Sequence, residues 1–211
     1  MRSFDNFLPF VLPYAPSCPE PLALQYIRQA TIDYCQRTRS WRDVQDIDVA
    51  GEDVIALPIP PQAFLFEIEK AWFKIGITDH WYELKKTPYN QVDQRIYEYS
   101  ATELATPNLY SQADFNSLII APKGIGVLRV SMFFAPSVTA EVCPEFLFGQ
   151  YASTIADGAL SAIMMLPEQP YSNPNLAALK AGLFNQACEA NFAFNIRGQQ
   201  RAPARARSSF V

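Results

Sequence analysis

The chain has a single histidine, His80, next to Asp79. Such a pair becomes catalytic when it activates a serine, and no glycine-flanked serine elbow stands anywhere in the sequence. His80 therefore reads as a turn residue. Cys18, Cys35, Cys143 and Cys188 lie far apart with no C-x-x-C pair, whereas zinc and redox sites draw two ligands or thiols from one local turn. The four read as small buried hydrophobes in a reducing compartment. Gly124-Ile-Gly126 lacks the third glycine of a phosphate loop and opens a strand pattern, so it reads as a hairpin turn. Glu52-Asp53 sits in a turn. Glu67 and Glu69 share the solvated face of an alternating segment, and hydrolytic chemistry would need two carboxylates in unlike environments. The expectation is a protein that is not an enzyme, with no cofactor and no metal.

The one suggestive constellation is basic. After Glu189 there are no acids, and Arg197, Arg201, Arg205 and Arg207 precede a terminal Phe210-Val211. Arginines so placed can neutralise nucleic-acid phosphates without needing a fold. They can equally dock a peptide arm in an acidic or apolar groove with Phe210 as anchor, or merely be solvated. The net charge of −4 conceals this asymmetry. Setting the four arginines aside leaves 13 Lys and Arg against 21 Asp and Glu, so the rest of the chain stands at −8. An acidic body with a basic end implies two electrostatic tasks.

These residues must be positioned by a folded body, since 49% hydrophobic and 18% charged residues argue against wholesale disorder. The apolar patch Phe7 to Val11 is broken by Pro9, with only Arg2 before it, so no signal peptide is expected. The longest apolar run, Gly158 to Leu166, is about half of what a bilayer requires. A cytoplasm-like setting without a membrane partner follows as an expectation.

Residues 1–16 carry Pro9, Pro13 and Pro16 among Phe4, Phe7, Phe10 and Tyr14, and read as an extended arm. A helix starts at Ser17-Cys-Pro-Glu20, with either Ser17 in a capping box or Cys18 as cap before Pro19. Leu22, Tyr26, Ile27, Ala30 and Tyr34 mark one face, and Trp41 closes the segment. From Val44 to Phe134 the period falls to two. Ile47 and Val49 precede a Gly51 turn, and Phe64, Phe66 and Ile68 followed by Trp72 and Ile75 mark the inner row of a long strand. Leu118–Ala121 and Val127–Phe134 read as two paired strands, after a weakly patterned stretch from Thr78 to Ser117.

Two clearer helices follow. The first opens at Pro144-Glu145 and carries Phe148, Tyr151, Ile155, Ala159, Ala162 and Leu166 until Pro167 stops it. Pro167, Pro170, Asn173 and Pro174 form a structural hinge, in which Asn173 caps and Pro174 opens the second helix. Its inner stripe is Leu176, Leu179, Leu183, Ala187, Ala190 and Phe194, with Gly198 as terminator. The expected fold is α+β: a bundle of about three long helices with an inserted antiparallel β domain, plus extended N- and C-terminal arms. The expected parts are an arm at 1–16, helices at 17–41 and 142–196, the β insertion at 42–141, and a basic arm at 197–211.

In this order of parts the chain resembles the head–tail adaptor (connector, tail tubular protein A-like) family of short-tailed bacteriophages. The local phrases are Leu57-Pro58-Ile-Pro60, Leu118-Ile-Ile-Ala-Pro122, Ala135-Pro136-Ser137, Pro144-Glu145 with Tyr151, Ile155 and Gly158-Ala159, then Leu166 through Pro174 and Phe184. The likeness covers roughly residues 17–196 and leaves both ends outside it. It implies a virion structural protein of the neck and tail region, assembled in the host cytoplasm. Such a protein forms a homo-oligomeric ring, a dodecamer in that family, that binds the portal, extends the DNA channel and carries tail nozzle or tail fibre proteins. An acidic wall would repel DNA phosphates and keep contact with the genome transient, and the basic arm (Arg197, Arg201, Arg205, Arg207, Phe210, Val211) would then dock on the portal. The alternatives are another neck or tail completion or terminator protein, and a basic-tailed DNA-binding protein of packaging.

Overall fold

The computed structural model describes residues 1–75, 80–92 and 105–196. The chain divides into two units, one built from Met1–Ser40 and Ala135–Val211, the other from Trp41–Phe134. The expected bundle of about three long helices with an inserted antiparallel β domain is not what forms. The helices are more numerous and mostly shorter than expected, and the largest single assembly is a seven-stranded mixed sheet.

In the first unit the N-terminal residues fold instead of extending. Strand β1 (Arg2–Ser3) pairs antiparallel with β9 (Val142–Cys143). Ser3 then accepts a hydrogen bond from the Asp5 N–H and starts a 3-10 turn over Phe4–Phe7, which runs into a one-turn helix α1 (Leu8–Val11). Pro9 is tolerated because it falls in the first turn, where its missing N–H has no partner to lose. Phe4, Phe7, Val11 and Ala15 are buried, which is what holds the segment down against an extended arm.

Helix α2 (Glu20–Thr38) is capped by neither Ser17 nor Cys18: Pro19 occupies the cap position and no side chain bonds there. It ends on Arg39, whose left-handed backbone (φ 52°) returns its N–H to the Cys35 carbonyl. Helix α3 (Glu145–Ile163) and helix α4 (Pro174–Ile196) pack on α2 and on each other. Gly158 makes the close approach possible, since a Cβ there would lie 2.8 Å from the Phe184 ring and 3.2 Å from the Ala30 methyl.

The second unit is the sheet. Its strands are β2 (Arg42–Ala50), β3 (Ile55–Ala56), β4 (Ala63–Ile75), β5 (Tyr82–Lys86), β6 (Leu109–Asp114), β7 (Ser117–Ala121) and β8 (Ile125–Pro136), in the order β2-β8-β4-β5-β6-β7-β3. β5 and β6 run parallel, pairing Lys85 with Leu109 and Lys86 with Tyr110, so the sheet is mixed and not purely antiparallel. The expected hairpin does not close. β7 pairs with β6 and β3, while β8 pairs with β2 and β4, so the Pro122–Gly126 turn joins strands that are not neighbours. Likewise β2 and β3, joined through Gly51, lie at opposite ends of the strand order. The four residues between them cannot span far, so they draw the two edges of the sheet toward one another.

Leu128, Val130, Met132, Ile68, Phe73 and Tyr110 are among the buried side chains of this unit. In β4 the buried row is Leu65, Ile68, Ala71 and Phe73, and the expected Phe64 and Phe66 are half-buried. β2 alternates: Arg42, Val44, Asp46, Asp48 and Ala50 are exposed, and Asp43, Gln45, Ile47 and Val49 are turned inward.

Candidate functional site

The residues weighed for chemistry are held in structural roles. His80 stands edge-on to Tyr82 at 4.6 Å, and Asp79 lies outside the described residues. Glu69 pairs with Arg42 and accepts a 2.7 Å hydrogen bond from Ser131, while Glu52 accepts one from the Ala50 N–H at 2.9 Å. Asp53 pairs with Lys123. Gly124 is pressed against Pro107 and the Ala105 carbonyl, and Gly126 against the Lys74 carbonyl, where no side chain fits. The four thiols are buried and free. Burial pushes Cys143 up to about 12 and Cys188 up to about 11, and raises Cys35 further still, so none offers a thiolate at neutral pH. Among the described residues no group of three or more His, Cys, Asp or Glu is placed to hold a metal ion, and no helix is long and apolar enough to cross a membrane.

The hinge is a set of interlocking turns. Glu168 takes a left-handed conformation (φ 58°), Ser172 donates its N–H to the Gln169 carbonyl, and Asn173 donates its N–H back to Met164 at 3.0 Å. The Asn173 side chain accepts from the Leu176 N–H at 3.1 Å and so caps α4, with Pro174 at its first position. Pro167 and Pro170 are exposed, and the nearby Tyr171 ring is buried. Arg197, Arg201, Arg205, Arg207, Phe210 and Val211 lie outside the described residues.

The surface that stands out is on α4. Its buried row is Ala177, Phe184 and Cys188, not the leucine stripe. Leu179 is 59% and Leu183 44% exposed, and with Gln186 and Ala190 they form one outward face, at whose edge the exposed Glu189 stands. Gly182 has nothing within 4 Å of where a Cβ would stand. The helix is apolar on several sides, so apolar spacing alone did not identify the inner one. The signal that would have done so is Gly158, whose close contact calls for the Phe184 side of α4.

On the packed side of α4 lies a groove of about 340 Å³ between α2, α3 and α4, lined by Ala30, Gly158, Ala162 and Phe184 among others. Arg37 lies 5.5 Å over the Phe184 ring, donates to Asn185 at 2.7 Å and pairs with Asp33 at 3.5 Å. Lys180 of α4 bonds Asp157 at 2.7 Å and sits 4.5 Å over the exposed Tyr14 ring. Both cations are occupied, and the outward leucines have no covering group among the described residues. Such a surface offers contact area and specificity, not catalysis. No protein-family profile matches the chain, and no curated protein matches it in sequence.

Proposed function

We propose that the chain is a subunit of a head–tail adaptor ring of a short-tailed bacteriophage. The observation that carries the reading is the outward face of α4, with Leu179 and Leu183 bare on a helix whose other side is packed. An apolar face of this kind is costly on a free subunit and is what a neighbouring copy would cover. The order of parts and the phrases quoted from Leu57 to Phe184 supply the family likeness. The ring would bind the portal through the basic segment Arg197–Val211, extend the DNA channel and carry the next tail protein, a nozzle or fibre subunit. An acidic body suits passage of a polyanion, because repulsion keeps the duplex from adhering.

Electron-microscope images of the full chain mixed with the portal of the same phage test this. The expected result is a ring, dodecameric by the family likeness, seated on the portal. Leu179→Lys with Leu183→Lys should leave the subunit folded by circular dichroism yet abolish the ring. A chain ending at Ile196 should fold and fail to join the portal. Absence of any ring in the presence of portal would remove the adaptor reading.

A further inference from the structure

We infer that strand β2 is a docking edge, and that its occupant is the terminal segment Arg205–Val211 of a neighbouring copy. β2 ends the strand order and so has one paired side, toward β8. Its even-numbered N–H groups point away from β8. The Val44 N–H is satisfied by Asp43 and the Ala50 N–H by Glu52, each at 2.9 Å. Between them the outward groups of Asp46 and Asp48 have no partner among the described residues and are left for an added strand.

Charge and spacing select the occupant. The exposed face of β2 presents Asp46 and Asp48, two residues apart, and Arg42 beyond Val44. Asp46 also holds Arg129 of β8 by two hydrogen bonds of 2.6 and 2.7 Å, whereas Asp48 has no ion-pair partner among the described residues. In the sequence Arg205 and Arg207 have the same two-residue spacing, so an extended segment turns both to one face. Antiparallel addition in one register sets Arg205 opposite Asp48 and Arg207 opposite Asp46. At the inward positions Ala206 then stands beside Ile47 and Ala204 beside Val49, with Ser208 beside Gln45 and Phe210 beside Asp43. The same register places Pro203 opposite Ala50, where pairing must stop: proline has no N–H to give, and the Ala50 N–H is already taken. Slipping the register by one residue would turn both arginines to the wrong face.

This rests on the ring reading only for the neighbour's presence. Within that reading the portal takes the segment over from β2, so the arm is held until the portal is met.

The test uses two full-length proteins, one carrying Gln45→Cys and the other Ser208→Cys, mixed and oxidised. The four native thiols are buried, and the unsubstituted chain controls for them. The expected result is a cross-linked heterodimer. It should be lost when Asp48→Arg is added to the first protein and regained when Arg205→Asp is added to the second. No heterodimer, or an equal yield from Ser209→Cys in place of Ser208→Cys, overturns the inference. Cross-linking without a ring on the portal would remove the adaptor reading alone, and a ring without cross-linking would remove this one alone.

Discussion

Gly158 and Asp46 show how much single residues determine. A methyl at Gly158 would overlap the Phe184 ring and crowd Ala30, with packed helices on both sides leaving little room to give. Gly158→Ala should therefore destabilise the first unit by about 1–3 kcal/mol, overpacking outweighing alanine's better helix propensity. A urea titration followed by far-UV circular dichroism measures it. The Asp46 carboxyl is held below its ordinary 3.8 by hydrogen bonds from Arg129 and by that guanidinium's charge. The folded protein thus keeps this group ionised at a pH where the unfolded chain has protonated it. The stability it contributes is whole above the ordinary value and is lost as pH falls through the lower, folded one. Asp46→Asn should flatten that part of the acid response, read from urea midpoints between neutral pH and about 3. The thiols make a third case. A water-soluble alkylating reagent should label none of the four in the native protein and all four once it is unfolded.

At the scale of elements, α4 depends on its first turn. Asn173→Ala removes the acceptor for the Leu176 N–H and should cost about 1 kcal/mol of stability, measured by thermal unfolding. The α4 region also shows where the sequence is readable. Asn173-Pro174 marks the start of α4 because a cap and a first-turn proline have local causes, and the pattern from Pro144 marks α3 in the same way. The orientation of α4 is not local. Leu179 and Leu183 obey helical spacing as well as Ala177, Phe184 and Cys188 do, and only contact with Gly158 decides between them. The N-terminal residues teach the converse. Pro9 excludes a helix interior but not a helix start, and Phe4 and Phe7 are apolar enough to fold the segment down. In the sheet, alternation exposes the strands, while the parallel pairing of β5 with β6 and the separation of β7 from β8 are set by partners distant in sequence. Of the candidate site, the arginines were legible as a charge cluster. The outward leucines were not.

For the molecule as a whole, charge layout and chain order matter most. An acidic body of −8 against four terminal arginines should make any self-association through the terminal segment weaken as salt rises, because exposed charges a few ångströms apart are screened. Contact through the leucine face should be largely indifferent to salt. Sedimentation of the full chain at low and high ionic strength separates the two contributions.

The first unit is assembled from the two ends of the chain, with the whole second unit lying between them. During synthesis Arg2 and Ser3 emerge long before Val142 and Cys143, the residues they pair with. At a ribosome making roughly 5–20 residues per second, that wait is on the order of ten seconds. The continuous Trp41–Phe134 stretch can fold in the interval, while Phe4, Phe7 and the apolar side of α2 remain uncovered. The nascent chain is thus most vulnerable at its N-terminus. A pause in translation just before α3 would prolong that exposure, and one after Ile196 would not.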